Sequence, residues 1–364
     1  MKRRKLIYTA MGIAGTSALG SCGLHLTQPS VRWNMATSWP TSLQPTSLDI
    51  IYGAAEIVCQ RVSEMTDGRF VITPYPADEK APALKVLDAV EDGTVECGHT
   101  CSYYYTKRNL ALAFGAAVPF GLNARQQNAW LSDEGGGLEL MQSIYADFGV
   151  INFPAGNTGV QMGGWFNKPI KTVADMEGLK MRIPGLGGEV MEKLGVEVIN
   201  VPPNRISEAM KNGEIDAAEW IGPHDDEQLG LHKVASYCCY PGWWEPGTSF
   251  EVQVNRDKWE KLPKTYQEVF KAACVEANLK TLARYDKLNR LALGRLKDKR
   301  IKFLPYSEEI LKSAEKAAFD IYEAEAKRNK KFKEVYKQWK VFREQTYQWH
   351  GTSELEFSKF SLKE

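Results

Sequence analysis

Few residues of this 364-residue chain have the types and spacing of a catalytic centre. Its five histidines form no HExxH motif, and the sequence has neither a GxSxG nucleophile turn nor a GxxxxGK[ST] phosphate loop. Nothing places an activated nucleophile beside a tuned base. The enzyme alternative that stays open is an exported metal-dependent hydrolase with Glu219 as its base. The histidines are His25, His99, His224, His232 and His350.

Aromatic and polar residues are concentrated where predicted strands end. Aromatic rings give a cleft apolar walls with few rotatable bonds, and a few polar groups then fix the orientation of a ligand. The alternatives are core positions for Trp165 and Trp220 and a surface charge for Arg182. Five such clusters in one chain predict a shared binding cleft. The clusters are Tyr103-Tyr104-Tyr105, Gln161 to Trp165, Arg182, Glu219-Trp220 and Trp243 to Gly247.

Two other motifs have simpler interpretations. Gly185-Leu186-Gly187-Gly188 follows a predicted strand but lacks the complete dinucleotide fingerprint, so we interpret it as the turn at the start of a helix. Asp225-Asp226-Glu227 has the composition of a metal cluster, and we interpret it as a solvated acidic loop.

The strands and helices that would position these residues alternate along the chain. Residues 32–37 look like a first strand, and Ser47 opens a helix with apolar residues at helical spacing. A strand at 69–74, a helix at 84–91 and a short strand ending at Gly98 follow. This alternation predicts an α/β protein with a mostly parallel sheet flanked by helices.

A helix end, a glycine and a short strand occur twice, 120 residues apart. The first copy is residues 88–98 and the second is residues 208–218. Ligands of open α/β sheets bind beyond the carboxyl ends of the strands. The repeat therefore points two loops, 100–105 and 219–223, towards one cleft. The alternative is that this succession recurs by chance, as it does in α/β proteins generally.

The first residues form an export signal. Basic residues 2–5 precede an apolar stretch from Leu6 to about Leu19, which is too short for a lasting membrane span. Small residues before Cys22 match a bacterial lipoprotein signal, in which cleavage frees Cys22 to receive lipid. The alternative is a plain secretory signal with an incidental cysteine. Both place the mature chain in the periplasm or another extracytoplasmic compartment, and lipid at Cys22 would anchor it to a membrane.

Charge and length limit the classes of protein that fit. The chain carries 46 basic and 45 acidic residues, and the leader holds four of the basic ones, so nothing indicates a nucleic acid partner. About 340 mature residues exceed what one core usually supports, so two lobes are expected. The expected divisions are residues 1–21 (signal peptide), 22–30 (tether), 31–155 (mainly lobe 1), 156–250 (mainly lobe 2), 251–305 (return to lobe 1 and crossing segments) and 306–364 (a long C-terminal helical region).

The C-terminal region has the pattern of a long helix. From Ile310 the apolar residues fall on one helical face until Glu325 interrupts them, and the pattern resumes at Phe332. Some forty residues without Pro or Gly predict one very long helix, or two nearly collinear helices that meet near Glu325. Such a helix either straddles both lobes or packs on a second subunit, as a homodimer would.

Six cysteines follow Cys22. Cys97 and Cys101 lie four residues apart without a second pair, and the adjacent Cys238 and Cys239 rarely bridge each other, so a zinc site is not expected. One or two disulfides are compatible with export, whereas most of the six are expected to be small buried hydrophobes. They are Cys59, Cys97, Cys101, Cys238, Cys239 and Cys274.

Several of these stretches resemble one family. Gln161 to Phe166, Lys180 to Gly185, Ala218 to Trp220 and Tyr240 to Gly247 are similar to the extracytoplasmic solute receptors of tripartite ATP-independent periplasmic (TRAP) transporters. The resemblance covers the whole mature chain and begins at Met35 to Pro40. It is closest to the branch that takes 2-oxo acids and related monocarboxylates such as lactate.

The resemblance implies a two-lobed, periplasmic-binding-protein-like α/β fold. Mixed sheets flanked by helices would be joined by hinge strands, with a long C-terminal helix. It also implies a receptor and not an enzyme, which binds a small carboxylate and delivers it to integral-membrane permease subunits. A receptor for a sensor kinase would share the fold and differ in its partner.

A metal ion in the cleft, Na⁺ or Ca²⁺, is also implied by the resemblance. Gln161, Glu219 and the backbone carbonyl of Trp220 would hold it, and hard oxygen ligands of this kind suit either ion. Recruitment of Glu245 as a further ligand would favour Ca²⁺. Arg182 offers the planar fork that binds a carboxylate bidentately. The expected substrate-binding residues are Tyr103, Tyr104, Tyr105, Asn157, Gln161, Arg182, Trp220, Trp244 and Glu245.

Overall fold

Strands form from short runs rich in β-branched, aromatic and small residues. A computed structural model describes residues 28–41, 50–132, 134–201 and 205–362. The predicted signal peptide, Cys22 and the predicted helix start at Ser47 lie outside the described residues. The strands are β1 (Val31–Thr37), β2 (Phe70–Tyr75), β3 (Cys97–Thr100), β4 (Val150–Asn157), β5 (Trp165–Phe166), β6 (Lys180–Arg182), β7 (Glu197–Val198), β8 (Ala217–Ala218), β9 (Tyr237–Tyr240), β10 (Ser249–Asn255) and β11 (Lys302–Pro305).

Two mixed sheets result from these strands. The first has the order β2-β1-β3-β10-β4, in which β1 is parallel to β2 and β3, and β10 is antiparallel to β3 and β4. The second has the order β11-β9-β5-β8-β6-β7. We call the part of the chain built on the first sheet lobe 1 and the part built on the second lobe 2. The predicted α/β fold class with mixed sheets is confirmed.

Helices cover the sheets and bury apolar residues, except for the last one, Glu356–Ser361, which has no buried residue. In the first helix Ala54, Val58 and Val62 follow each other at four-residue spacing and are fully buried. No helix in the described ranges is long and apolar enough to cross a membrane. The helices are α1 (Ile50–Met65), α2 (Val86–Glu91), α3 (Ala124–Trp130), α4 (Gly137–Tyr145), α5 (Gly185–Lys193), α6 (Ile206–Lys211), α7 (Pro223–Gln228), α8 (Arg256–Glu260), α9 (Lys264–Asp298), α10 (Glu308–Arg328), α11 (Lys330–His350) and α12 (Glu356–Ser361).

Two extended segments cross between the lobes. Residues 158–164 lead from β4 in the first sheet to β5 in the second, and residues 241–248 lead back from β9 to β10. The two segments bond to each other, since the backbone N–H of Gly242 donates to the carbonyl oxygen of Gln161 at 2.9 Å. We call these two stretches the crossing segments.

The 35-residue helix α9 is a third connection between the lobes. Near its start Glu276 forms an ion pair of 2.7 Å with Arg61 of α1 in lobe 1. Near its end Arg295 forms an ion pair of 2.6 Å with Glu227 of α7 in lobe 2. The chain then enters β11 of the second sheet. The sequence predicts a long helix in the C-terminal region, residues 306–364. The 35-residue helix that connects both lobes is instead α9, which precedes that region.

The C-terminal helices form an antiparallel hairpin, so the prediction of one helix or two collinear helices is wrong. Asn329 has extended backbone angles and ends α10, and its side chain then caps α11. Glu323 accepts hydrogen bonds from Tyr336 at 2.9 Å and Lys340 at 3.1 Å, which requires α11 to run back along α10. The interrupting Glu325 is buried at the turn, where Asn329 donates to it at 3.1 Å.

The hairpin packs on both lobes. Trp339 of α11 lies against Phe114 of lobe 1, with ring centres 5.2 Å apart. The hydroxyl group of Tyr322 in α10 donates to the carbonyl oxygen of Pro119, also in lobe 1, at 2.9 Å. The same helix contacts α5 of lobe 2. The C-terminal region thus straddles the lobes, one of the two arrangements expected from its sequence.

All six cysteines of the described residues are buried free thiols. Burial raises the pKa of each thiol above its ordinary value. They pack as small hydrophobic residues, and no disulfide joins any of the described cysteines.

Candidate ligand-binding site

The two loops singled out by the sequence repeat face one cavity. Gly93 and Gly213 adopt left-handed φ angles of 77° and 72° after α2 and α6, which turns the chain towards β3 and β8. The loops beyond these strands approach each other from opposite lobes and enclose a cavity of about 10 Å³. Its lining residues are Trp39, Ile51, Tyr103, Tyr104, Gln161, Arg182, Pro184, Glu219, Trp220, Ile221 and Phe250.

An ion pair between Arg182 and Glu219 forms the lobe 2 side of the cavity. The parallel strands β6 and β8 bring the two residues together, because Arg182 lies beside Ala218 in the register. Nη1 of Arg182 donates to Oε1 of Glu219 and, at 3.0 Å, to its backbone oxygen. The guanidinium also lies 5.4 Å from the ring centre of Trp220. The side chains are 7% and 1% exposed, so water hardly screens the pair.

Burial raises the pKa of Glu219 well above its ordinary value, and the positive charge of Arg182 opposes that rise. The neighbouring carboxylates of Glu245 and Asp226 raise the pKa further. Removal of either member of such a buried pair leaves an uncompensated charge. The pair therefore presents one cation and one anion to whatever enters the cavity.

Gln161 reaches the cavity from the first crossing segment. Its Nε2 donates to Oε2 of Glu245 at 2.7 Å and to Oγ1 of Thr248 at 3.2 Å. Thr248 donates to the same Glu245 oxygen at 2.7 Å. Burial raises the pKa of Glu245 to about 7, although the hydrogen bond from Thr248 and the charge of Arg182 oppose it. These bonds join the two crossing segments directly beside the cavity.

Two buried oxygen atoms of the site have no described partner in hydrogen-bond geometry, although Trp244 lies close enough to Glu219 to oppose the rise of its pKa. They are Oε1 of Gln161 and Oε2 of Glu219. Because an unpartnered buried acceptor costs free energy, a cation placed between these atoms would be stabilised. Amide and carboxylate oxygens suit Na⁺ or Ca²⁺. The residues present therefore fit the expected ion.

Asp226 is buried behind the loop that carries Glu219 and Trp220. It accepts a hydrogen bond from Nε1 of Trp165 at 2.7 Å and one from the backbone N–H of Ile221 at 3.2 Å. Burial raises its pKa to about 7, and these hydrogen bonds oppose that rise. The prediction of a solvated acidic loop is wrong for this residue, because α7 turns it inward against β5.

The three consecutive tyrosines divide between the cavity and the core. Residues 102–105 form a 3₁₀ turn, in which successive side chains point about 120° apart. Tyr103 and Tyr104 line the cavity, with ring centres 4.9 Å apart. Tyr105 turns into lobe 1, where its hydroxyl oxygen lies 2.9 Å from that of Thr100. Tyr105 is therefore behind the cavity wall.

Asn157, Trp244 and Glu245 surround the cavity without lining it. Asn157 uses its amide within the crossing region, where it donates to the carbonyl oxygen of Gly247 at 3.1 Å. Trp244 packs on Gly187 of α5, where only a glycine leaves room for it. Glu245 is connected to the cavity through Gln161, whose side-chain amide donates a hydrogen bond to it. These three predicted residues contact the lining residues from behind.

Sequence reasoning misses five residues that line the cavity. Trp39 carries a signal, because it belongs to the stretch from Met35 to Pro40 on which the family resemblance begins. Pro184 lies in the resembling stretch Lys180 to Gly185, and Ile221 in the loop that the repeat points towards the cleft, whereas only the tertiary structure shows that Ile51 and Phe250 reach the cavity. The five are Trp39, Ile51, Pro184, Ile221 and Phe250.

Comparison with known proteins shows the family of this chain. The family described as bacterial extracellular solute-binding protein, family 7, matches residues 42–329. The chain belongs to this family. It is a TRAP solute receptor, as the resemblance implies. TRAP receptors are periplasmic, bind small carboxylates and work with membrane permeases.

Relatives of this family 7 receptor include proteins with stated ligands. It is 55% identical over 367 residues to a monocarboxylate 2-oxoacid-binding periplasmic protein of Nostoc sp. (strain PCC 7120), with 99% of each chain covered. A TRAP solute-binding protein of Bordetella bronchiseptica is 45% identical with a TM-score of 0.87, over 92% of this chain and 98% of that one. Its crystal structure is a dimer with copurified calcium and picolinate in an active site.

A second solved relative carries a different ion. The TRAP periplasmic solute-binding protein of Pseudoalteromonas atlantica is 35% identical with a TM-score of 0.85, over 91% of this chain and 99% of that one. Its crystal structure contains sodium and pyruvate. Both calcium and sodium therefore occur with a small carboxylate in relatives of this family 7 receptor.

Proposed function

We propose that this receptor captures a small 2-oxo or 2-hydroxy monocarboxylate, such as pyruvate or lactate, together with Na⁺ or Ca²⁺ and delivers it to a TRAP permease. The observation that carries the proposal is the buried pair of Arg182 and Glu219 next to the unpartnered oxygens of Gln161 and Glu219. The relatives support the same ligand class. Pyruvate and picolinate each have a second donor atom beside the carboxylate.

Arg182 would bind the ligand carboxylate. Its Nη1 and Nε are held by lobe 2, whereas Nη2 takes no part in the hydrogen bonds described among these residues. The guanidinium is thus oriented before a ligand arrives, which reduces the entropy lost on binding. Gln161, Glu219 and the carbonyl oxygen of Trp220 would hold the ion. The ion supplies the positive charge that fixes the carboxylate and its neighbouring oxygen.

The space between the lobes has to widen for this ligand, since about 10 Å³ admits at most one water molecule. When an ion and a carboxylate enter together, the ion can replace the guanidinium of Arg182 as the partner of Glu219. The ligand carboxylate can then replace Glu219 as the partner of Arg182. Every buried charge then keeps a partner. A carboxylate alone would face Glu219 without compensation, so the site favours binding of both together.

The choice between the two ions depends on Glu245. Its Oε2 is engaged by Gln161 and Thr248. If Glu245 keeps these bonds, the ion has one charged protein ligand, which suits Na⁺. If it turns to the ion, two carboxylates surround the cation and favour Ca²⁺. Binding measured with each ion separately distinguishes the two arrangements.

Titration calorimetry tests the receptor proposal. Pyruvate and lactate should bind in NaCl or CaCl₂ and bind much more weakly in KCl with a chelator. Acetate, which lacks the second oxygen, is the matched control and should bind weakly in every buffer. If no monocarboxylate binds with either ion, the proposed function is wrong.

A receptor is favoured over a hydrolase by the state of Glu219. A general base needs an accessible carboxylate, whereas this one is bonded to Arg182. Pyruvate or lactate incubated with the protein and either ion should be recovered unchanged. A new product in the proton NMR spectrum of the incubation mixture would support the hydrolase.

We also propose that lipid at Cys22 anchors the receptor, because small residues precede this cysteine after a basic and apolar leader. Cys22→Ser should shift the protein from the membrane fraction to a soluble or uncleaved form. A native protein that fractionates as soluble, with another mature terminus, would contradict the anchor.

If a sensor kinase were the partner, deletion of the permease subunits would leave uptake of the ligand intact.

A homodimer through the C-terminal helices is supported by their exposed apolar side chains. Trp349, Phe357 and Phe360 are 60%, 70% and 78% exposed at the end of α11 and in α12. Exposed apolar groups of this size are typical of an interface, and the Bordetella relative is a dimer. Removal of residues 351–364 should convert a dimer to a monomer in analytical ultracentrifugation. A monomeric full-length protein would contradict the proposal.

A further inference from the structure

Trp39 forms much of the lobe 1 wall of the cavity. It lies two residues beyond the end of β1, and its backbone oxygen accepts a hydrogen bond from the backbone N–H of Ala77 at 2.8 Å. Its ring packs on Phe250, with ring centres 5.2 Å apart, and on Tyr104 at 6.0 Å. All three rings line the cavity opposite the charged pair of lobe 2. The position of one indole therefore decides the shape of this wall.

The indole of Trp39 is held by a histidine that does not line the cavity. Nε1 of Trp39 donates to Nδ1 of His99 at 2.7 Å, and Nε2 of His99 lies 3.2 Å from the carbonyl oxygen of Ala155. An indole N–H only donates and a carbonyl oxygen only accepts, so the imidazole carries its proton on Nε2 and a lone pair on Nδ1. The hydrogen bonds thus specify one neutral tautomer.

The surroundings of His99 keep it in this form. It is fully buried in β3, and burial lowers its pKa to about 4. Its ring also packs on Phe250, with ring centres 6.1 Å apart. One imidazole therefore contacts two of the three aromatic residues of the wall and connects them to Ala155 of β4.

We infer that His99 is a positioning residue that fixes Trp39 as the wall limiting the size of the substrate's carbon chain. The inference rests on the proposed function, because the charged head of a monocarboxylate at Arg182 leaves its carbon chain to face lobe 1. A Trp39 ring held in place restricts the cavity to short chains. A Trp39 ring without its acceptor can turn, which admits longer chains and weakens contact with short ones.

The matched variants are His99→Leu and His99→Asn, which have side chains of similar shape. Only Asn offers an oxygen close to the position of Nδ1, so only Asn can restore the acceptor for Trp39. In ¹⁵N spectra of the ligand-free protein, the Trp39 indole N–H should be protected from exchange in the wild type and in His99→Asn. It should lose protection in His99→Leu. The Trp39→Phe variant identifies the resonance.

Affinity for substrates gives the second measurement. Loss of a buried hydrogen bond should weaken pyruvate binding by about tenfold in His99→Leu, and His99→Asn should recover most of that loss. Selectivity for pyruvate over 4-methyl-2-oxopentanoate should fall in His99→Leu by a similar factor. A role in stability alone would lower the melting temperature and leave this ratio unchanged.

A double-variant cycle tests whether His99 acts through Trp39. If it does, Trp39→Phe and the double variant with His99→Leu should bind pyruvate equally, since the first change already removes the donor. Additive losses, or unchanged protection and selectivity in a folded His99→Leu protein, would overturn the inference. If the wild type binds no monocarboxylate, the proposed function fails. The size-limiting role then fails with it, and exchange of the indole N–H still decides whether His99 holds Trp39.

Discussion

The two lobes contribute chemically different surfaces to the same cavity. Lobe 2 supplies the ion pair of Arg182 and Glu219, with the buried carboxylate of Asp226 behind it. Lobe 1 supplies aromatic and aliphatic groups, with the neutral imidazole of His99 behind Trp39. Recognition of charge is therefore concentrated in one lobe, and recognition of shape in the other.

This division would have a physical advantage if the site opens to admit the proposed ligand. Arg182 ends β6 and Glu219 directly follows β8, the neighbouring strand of the same sheet, so separation of the lobes would leave their pair intact. An ion pair divided between the lobes would have to be desolvated at every closure. Closure of the present site would instead cover an existing pair with apolar rings.

The largest expected effect comes from Arg182. Lysine has a point charge in place of a planar fork, so Arg182→Lys should lose on the order of 2–5 kcal/mol of binding free energy for pyruvate. The control is Arg108→Lys in lobe 1, where an exposed arginine pairs with Asp88 and Glu91. Calorimetry that shows near-native affinity for Arg182→Lys would remove this residue from the site and break the comparison.

Glu219 should have the next largest effect. Glu219→Gln keeps the shape of the side chain but removes its charge, so pyruvate binding should weaken by about 1.5–3 kcal/mol and depend less on Na⁺ or Ca²⁺. Glu227→Gln is the control, because that carboxylate pairs with Arg295 and Lys299 away from the cavity. Binding that stays unchanged after both ions are removed from the wild type would contradict a shared ion.

Asp226 of lobe 2 should make the free energy of unfolding depend on pH. Its pKa of about 7 is above the ordinary 3.8, so the folded protein holds this proton more tightly than the unfolded chain. The resulting stability is complete below about pH 4 and is lost as pH rises to about 7. The free energy of unfolding should therefore fall more steeply over this range in the wild type than in Asp226→Asn.

The control for this pH dependence is Asp216→Asn, which also removes a carboxylate that accepts a backbone N–H, from Lys180 at 3.0 Å. Denaturant unfolding of the wild type and the two variants, at several pH values, gives the comparison. A constant difference between the wild type and Asp226→Asn at every pH would show that Asp226 does not titrate in this range.

The smallest effects are expected on the lobe 1 side. Tyr104→Leu removes an aromatic wall residue and should weaken pyruvate binding by about 0.5–1.5 kcal/mol. Tyr105→Phe should leave affinity unchanged and lower the free energy of unfolding by about 1 kcal/mol, because its hydroxyl group bonds within lobe 1. Equal losses of affinity in the two variants would place Tyr105 at the cavity after all.

The sequence predicts the charged part of the site better than the aromatic part. Arg182 ends one short strand, Glu219 and Trp220 follow another, and strand ends of an α/β sheet converge on one edge. Trp39 depends on a hydrogen bond to His99, 60 residues away, which no local pattern encodes. The three consecutive tyrosines fit neither the period of a strand nor that of an α-helix. The sequence therefore does not show that they form a 3₁₀ turn in which Tyr105 points into lobe 1.

The C-terminal hairpin shows a second limit of sequence patterning. A break in an apolar stripe indicates that a helix is interrupted, but it does not give the direction in which the chain continues. That direction depends on the extended backbone of Asn329 and on the bonds between Glu323 and the returning helix. The α/β class follows from the alternation of strands and helices, and the two lobes follow from the chain length. Neither depends on the backbone angles or hydrogen bonds of single residues, so both could be predicted.

The six buried thiols have a consequence for a protein exported to an oxidising compartment. The thiolate is the form that reacts with oxidants and attacks disulfides, and burial disfavours it, so these six described thiols resist oxidation in the native receptor although no disulfide joins them. Each thiol becomes reactive only when the structure around it opens. Cys59 and Cys274 lie in lobe 1, and Cys238 and Cys239 lie in β9 of lobe 2. The rate at which each group of thiols is alkylated therefore measures local unfolding of its own lobe, and no cysteine has to be introduced for the experiment.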